Sequence, residues 1–452
     1  MLSEDSEIAI GRTNHPKIIA EYGRYDDAEL QAYVQSVGNK LAVVSHRSNL
    51  HYRFTVLDSP VINAFALPGG YIYITRGLMA YLNSEAELAA VLGHEIGHVT
   101  ARHGVRQQSA SQAAGLLYTI GSILVPELRA AASQQVFNIF GGALLSGYGR
   151  EHELESDGLG AEYLAKAGYD TNAMIDVIRV LKAQETFSAV QAKKQGREAA
   201  GYHGLFASHP DNDTRLHEVV AKAEKFSLGD KAVRARLPYL NKIEGMVFGD
   251  SEAQGIRSEH HFYHLAMNFT VDFPVNWQIL NNPSRLRAIS SGGKAFIEVQ
   301  VSDLNRKLSP REFIMQRLKV DKLIDGRRLN VHGLQGYTGV ISQQGELARL
   351  SVLYFQNQAF IFFASVEDKK QFNQFDTEFI KTVSSFHALS EEDKKLAHAL
   401  TIEVVPVKKG DNYARWASKS RISNSALLQL KLLNADYPEG ELQSGKLAKR
   451  VK

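Results

Sequence analysis

The sequence contains no cysteine, only two tryptophans and no long hydrophobic run. Without cysteine the chain has no disulfide, no thiol nucleophile and no thiolate metal site, so that His, Asp or Glu must hold any metal. No stretch reaches the ~18 to 20 uninterrupted apolar residues that span a bilayer. Residues 1–5 are acidic and lack the basic and apolar parts of a signal peptide. We therefore expect that the protein stays inside the cell or that a presequence has been removed.

The net charge is also small for a chain of 452 residues, at only +3. This excess is too small to predict a nucleic-acid partner, and we expect none. It is concentrated at the end, where residues 401–452 hold ten Lys and Arg against five Asp and Glu. The 44% of hydrophobic and 22% of charged residues are ordinary for globular proteins. They exclude a disordered, collagen-like or coiled-coil protein.

The hydrophobic pattern predicts an α+β fold with several domains. Residues 1–243 are mainly of helical period with a small sheet, and residues 244–260 form a polar junction that contains three glycines. Residues 261–390 change to alternating strands and end in an amphipathic helix, which predicts a second, α+β domain. Residues 401–452 form a short terminal module.

The most informative segment is an HExxH motif, His94-Glu95-Ile96-Gly97-His98, inside a helical run. Residues at i and i+4 share one helix face, so that the two imidazoles can bind one cation from the same side. Glu95 lies about 100° around the helix, within reach of a water beside that cation. Taken alone, the motif leaves open a helix with two solvated histidines.

A catalytic zinc needs a third protein ligand. His103 follows His98 by five residues and does not fit the metzincin spacing, so we expect it at the surface or behind a ligand. Glu153 and Asp157 are better candidates because they too lie four residues apart on one helix face. One carboxylate can bind the metal while the other accepts the N–H of a ligand imidazole. The alternative is that this acidic run is a solvated face.

These motifs together resemble the gluzincin zinc metallopeptidases of family 48, with the BepA, HtpX and CAAX endoprotease types, and most closely the soluble BepA-like branch. Besides the HExxH motif and the Glu153–Asp157 pair, residues 63–70 (NAFALPGG) resemble the strand and turn of that family. Ser208-His209-Pro210, followed by Arg215, resembles its His-Pro and Arg motif. The resemblance covers about residues 5–225, and Ser156 departs from it because alanine is usual there.

The resemblance implies a role for each matching residue. One Zn²⁺ per chain would be bound by His94, His98 and Glu153, and Glu95 would be the general base. His209 would stand near the metal as a transition-state donor or an occasional fourth ligand, and the ligands would be supported from behind by Asp157 and Arg215.

A substrate site is also implied by the resemblance. An extended substrate would pair with the strand formed by Asn63, Ala64, Phe65 and Ala66, although an ordinary edge strand is the alternative. The segment 113–147 is Ala-, Gly- and Leu-rich, which predicts a buried helix pair or a lid over the site.

Two weaker resemblances concern the rest of the chain. Residues 273–277 resemble a strand end of PsbP-like α/β domains, and residues 401–452 resemble a degenerate LysM module of βααβ order. A LysM module would bind peptidoglycan; a purely structural cap is the alternative. The positive charge of this segment favours an anionic envelope surface and peripheral membrane contact.

The sequence therefore predicts a zinc metalloendopeptidase that acts on misfolded or misassembled cell-envelope proteins. We expect it in the periplasm or cell envelope rather than in the cytoplasm, with protein or peptide substrates. One alternative is a chaperone-like assembly factor that retains zinc but rarely cleaves. The other is a structural zinc domain, which would unfold on chelation.

Overall fold

The computed structural model describes residues 3–108, 148–194, 212–283, 285–304, 307–343 and 345–452. The predicted lid at 113–147 and the His-Pro motif around His209 lie outside these residues. The described residues form two compact units. The first contains residues up to 249 together with residues 400–452, and the second contains residues 250–399.

Helices occur in both units. In chain order they are α1 (Glu4–Tyr22), α2 (Ala28–Ala42), α3 (Arg76–Tyr81), α4 (Glu85–Thr100), α5 (His103–Gln108), α6 (Arg150–Lys166), α7 (Asn172–Lys194), α8 (Asn212–Lys225), α9 (Arg236–Ile243), α10 (Pro310–Glu312), α11 (Phe372–Ser385), α12 (Glu391–Leu396), α13 (Tyr413–Ala417) and α14 (Ala426–Leu433). Among the described residues, no helix has the length and apolar content that crossing a membrane requires.

Seventeen strands occur among the described residues. They are β1 (Arg53–Leu57), β2 (Ala64–Leu67), β3 (Tyr71–Thr75), β4 (Val247–Phe248), β5 (Ile256–Ser258), β6 (His261–His264), β7 (Phe269–Asp272), β8 (Gln278–Asn282), β9 (Arg285–Ile289), β10 (Ala295–Asp303), β11 (Ile324–Val331), β12 (Leu334–Gln343), β13 (Glu346–Phe355), β14 (Gln358–Val366), β15 (His387–Ala388), β16 (Leu400–Pro406) and β17 (Leu447–Val451). The predicted α+β class is confirmed.

A small sheet of order β1-β3-β2 lies beside the helices of the first unit. β1 runs parallel to β3, and β2 returns antiparallel to β3 at the edge of the sheet. The turn between β2 and β3 needs glycine, because Gly69 and Gly70 have φ of 82° and 88°. A Cβ atom at Gly69 would also lie 2.6 Å from the Cα atom of Ile8 in α1. This turn therefore brings α1 against the end of the sheet.

The C-terminal residues belong to the same compact unit as the N-terminal helices. They fold in the order strand, helix, helix, strand, with β16 antiparallel to β17 on one side and to β4 on the other. Ile402, Trp416 and Leu430 share one core cluster with Tyr239 and Leu240 of α9. The resemblance of this segment to LysM modules stays a prediction, as do the domain boundaries.

The second unit is built on an antiparallel sheet of order β11-β12-β13-β14-β10-β9-β8. The amphipathic helix α11 packs against it through Phe372 and Phe379, which share a core cluster with Phe360 and Phe362 of β14. A smaller sheet of order β15-β7-β6-β5 belongs to the same unit. A helix on an antiparallel sheet is what the change of hydrophobic period predicts for this part of the chain.

Candidate active site

The site is built on α4, which is buried along almost its whole length. The helix is capped by Ser84, whose hydroxyl accepts a hydrogen bond from the backbone N–H of Glu87. Every residue from Glu85 to Val99 is buried. His94 and His98 therefore lie inside the protein. This excludes the alternative of a helix with two solvated histidines.

Close packing of α6 against α4 brings the acidic pair to the histidines. A Cβ atom at Gly97 would lie 3.0 Å from the Cα atom of Ser156, and one at Gly160 would lie 3.1 Å from the backbone nitrogen of His94. The two helices can approach this closely only because both contacts are made by glycine. Ser156 is completely buried in this contact, which explains why a small residue is needed there.

His94, His98 and Glu153 come together at one point. The Nε2 atoms of the two histidines are 2.9 Å apart, and each lies 3.5 Å from one carboxylate oxygen of Glu153. In the described part of the chain, this is the one group of at least three His, Cys, Asp or Glu residues whose ligand atoms all lie close enough to hold one metal ion. Two imidazoles and a carboxylate are the ligands of many catalytic zinc sites, so that these residues fit zinc.

A buried ionic network holds the His94 side of the cluster. Asp157 Oδ1 accepts a hydrogen bond of 2.8 Å from His94 Nδ1, and Arg215 donates two bonds of 2.8 Å to the Asp157 carboxylate. Arg215 Nη1 also lies 3.1 Å from Glu153 Oε2. Burial opposes ionisation of Asp157, but the charge and hydrogen bonds of Arg215 outweigh it and lower the pKa of that carboxyl well below its usual range. Asp157 is therefore an anion that fixes the His94 ring.

The His98 side is held by different groups. His98 Nδ1 lies 2.9 Å from His103 Nδ1, and His103 Nε2 lies 3.0 Å from the Glu155 carboxylate. Burial lowers the pKa of His103 to about 4, so that its ring is neutral near pH 7. His103 is completely buried and stands behind a ligand, which is one of the two positions that the sequence predicts for it.

Tyr148 is a site residue that the sequence analysis misses. Its ring stacks on the His98 ring with centroids 4.0 Å apart and an angle of 21° between the planes. Burial raises the pKa of its hydroxyl, and the nearby charges of Glu95 and Glu153 raise it further. No motif contains Tyr148, and its distance of 50 residues from His98 leaves no local signal by which it could have been found.

The remaining predicted residues are placed as follows. Glu95 is buried, with 1% of its surface exposed, and its charge acts on both Tyr148 and Arg215. Asn63 directly precedes β2, and Ala64, Phe65 and Ala66 lie within it, on the edge strand of the sheet. Helix α4 packs against this strand. His209 lies outside the described residues.

Comparison with known proteins identifies the part of the chain that carries this cluster. The sequence profile of Peptidase family M48 matches residues 28–223. These residues are an M48 peptidase domain. The predicted family and the predicted zinc cofactor are thereby confirmed, because the M48 domain contains the His94, His98 and Glu153 cluster.

Relatives of the M48 domain occur in bacteria and in mitochondria. A beta-barrel assembly-enhancing protease of Escherichia coli K12 is 30% identical over 208 residues, which cover 44% of this chain and 40% of the relative. That of Yersinia pestis is 27% identical over 230 residues, which cover 50% of this chain and 45% of the relative. The mitochondrial metalloendopeptidase OMA1 of Schizosaccharomyces pombe is 29% identical over 224 residues, 48% of this chain and 61% of that protein. The chain thus spans less than half the length of these bacterial relatives.

Proposed function

We propose that this chain is a zinc-dependent endopeptidase that hydrolyses misfolded or misassembled proteins of the cell envelope. The observation that carries the proposal is the buried cluster of His94, His98 and Glu153, with the Glu95 carboxylate next to the first ligand in the sequence. The names of the relatives, a beta-barrel assembly-enhancing protease and a mitochondrial metalloendopeptidase, support a role in protein quality control. We place this role in the periplasm or cell envelope because two of these relatives are bacterial proteins named for β-barrel assembly.

The proposed mechanism assigns one task to each residue. When bound, zinc supplies Lewis acidity that polarises a peptide carbonyl and acidifies water. Glu95 takes a proton from the attacking water and returns it to the leaving amine, since it is the carboxylate adjacent to a ligand within the buried helix. His209 keeps its predicted task of donating a hydrogen bond to the developing oxyanion, which is typically worth about 3 to 4 kcal/mol. Arg215 is engaged with the carboxylates of Asp157 and Glu153 and holds them in place.

Substrate binding is proposed at the edge strand β2. Its one partner among the described strands is β3, so that its other edge lies away from the sheet. An extended peptide can add to such an edge through main-chain hydrogen bonds, which depend little on the side chains of the substrate. This mode of recognition suits an enzyme whose substrates share an unfolded backbone and not one sequence. Asn63, Ala64, Phe65 and Ala66 are the residues that we assign to it.

The substitution Glu95→Gln tests the proposal. It keeps the size of the side chain but removes the proton acceptor, so that the turnover of casein should fall by about 10²- to 10⁴-fold. Zinc content, measured by mass spectrometry on the purified protein, should stay at one ion per chain. The matched control is Glu151→Gln on α6, an exposed carboxylate that should leave turnover unchanged.

The same experiment separates the alternatives. Activity that survives Glu95→Gln would refute the assigned base. A protein that binds zinc, does not digest casein in the wild type and supports envelope assembly equally well with Glu95→Gln would be the chaperone-like factor. A chelator should abolish wild-type activity without unfolding the chain, whereas unfolding on chelation would indicate a structural zinc domain.

A further inference from the structure

The surroundings of His103 are unusually well defined for a residue outside the HExxH motif. The ring is completely buried, and both of its nitrogens have side-chain partners: Nδ1 faces His98 Nδ1 at 2.9 Å, and Nε2 faces the Glu155 carboxylate at 3.0 Å. One face of the ring stacks on His152, with centroids 4.3 Å apart. The ring therefore has one orientation in which all of these contacts are made.

The backbone before His103 is bent to reach this position. Helix α4 ends at Thr100, and Arg102 has a φ of 59°, in the left-handed region that residues other than glycine rarely adopt. Arg102 is held there by an ion pair with the buried carboxylate of Glu7 in α1. The chain turns at this residue, and His103, the first residue of α5, lies next to His98.

The two contacts of His103 fix the direction of the hydrogen bonds. His98 can bind zinc through Nε2 only when that nitrogen carries a lone pair, so the ring proton is on Nδ1. His98 Nδ1 then donates, and His103 Nδ1 must accept. The ring of His103 consequently carries its proton on Nε2, where the Glu155 carboxylate accepts it. Two hydrogen bonds in series thus connect His98, through His103, to the Glu155 carboxylate. The side chain of Glu155 is 46% exposed.

We propose that His103 is a positioning residue that holds His98 in the zinc-binding tautomer and connects this ligand to the surface carboxylate of Glu155. The inference rests on the zinc binding of the proposed function but not on peptide hydrolysis. Groups that orient a metal-bound histidine in this way typically contribute about 10- to 100-fold to metal affinity. His103 would then act on zinc affinity without touching substrate or metal.

Zinc affinity of full-length variants tests the inference, measured by competition with a chromophoric chelator. His103→Phe fills the same space without an acceptor and should weaken zinc binding by about 10- to 100-fold. His103→Asn places a carbonyl oxygen near the position of Nδ1 and should restore most of the affinity. The control is His152→Phe, which keeps a ring against His103 and should bind zinc as the wild type does. A folded His103→Phe protein with wild-type affinity would overturn the inference.

A second measurement needs no variant and so does not depend on how well the variants fold. In wild-type protein loaded with zinc and labelled with ¹⁵N-histidine, the ring shifts should show His98 protonated on Nδ1 and His103 neutral and protonated on Nε2. Protonation of His103 on Nδ1 would contradict the inference. Both measurements are independent of Glu95, so that loss of the proposed function, with zinc binding intact, leaves them interpretable.

Discussion

The two histidine ligands have the same chemistry, but one is held by buried charges and the other by a neutral ring. His94 is supported by a fully ionised, buried network, in which Asp157 receives two hydrogen bonds from Arg215. His98 is supported by the neutral ring of His103 and, beyond it, by a carboxylate that water can reach. A buried charge that loses its partner has no water to replace it, whereas an exposed carboxylate does. We therefore expect the loss of a charged partner to have a large effect on the His94 side and a small effect on the His98 side.

The largest effect is expected from Arg215→Met, which leaves the Asp157 carboxylate buried without its main counter-charge. Breaking a buried ion pair in this way typically costs about 3 to 5 kcal/mol. The free energy of unfolding, measured in urea with excess zinc and again with a chelator, should fall by this amount. The side chain of Arg215 is 5% exposed, so that water cannot take over its role.

Arg234→Met is a matched control for that substitution. Arg234 also pairs with two aspartates, Asp170 and Asp176, but its side chain is 43% exposed. Exposed ion pairs typically contribute about 0 to 1 kcal/mol, so this variant should unfold close to the wild type. Equal losses in the two arginine variants would contradict the contrast between buried and exposed networks.

An intermediate effect is expected when both charges of the network are removed together. In the double variant Asp157→Asn with Arg215→Met, no aspartate charge is left uncompensated, and the asparagine carbonyl can still accept from His94 Nδ1. Replacing both members of a buried pair typically costs much less than removing one. The double variant should therefore be more stable than Arg215→Met alone by about 1 to 3 kcal/mol. Additive losses in a urea double-mutant cycle would show that the two side chains act separately.

The sequence predicts the two sides of the site unequally, for a physical reason. The spacing of His94 and His98, and that of Glu153 and Asp157, is a local property of a helix, and family resemblance adds Arg215. The contacts of His103 and Tyr148 depend on how α4, α5 and α6 meet, which no periodicity encodes. For the same reason, the sequence does not predict the burial of Lys449, which belongs to the positively charged end of the chain.

Lys449 shows how far tertiary structure departs from that charge pattern. Its ammonium group is completely buried and donates hydrogen bonds of 2.6 and 2.7 Å to the carbonyl oxygens of Ala80 and Leu82 at the end of α3. Cations are favoured at such helix ends, since the last carbonyls there lack partners within the helix. Burial lowers the pKa of Lys449 well below its usual range. This lysine is thus buried inside the first unit, although it counts toward the positive charge from which the sequence favours an anionic surface as partner.

The smallest effect is expected from Glu155→Gln, at the exposed end of the His98 side. The amide oxygen of glutamine can still accept from His103 Nε2, and water can reach the same nitrogen if the side chain turns away. Exposed charge interactions such as that of Glu155 with Arg106 typically contribute about 0 to 1 kcal/mol. Zinc affinity should therefore stay within about threefold of the wild type, which corresponds to less than 1 kcal/mol. A loss as large as that of His103→Phe would mean that the negative charge of Glu155, and not the acceptor nitrogen of His103, holds His98 in place.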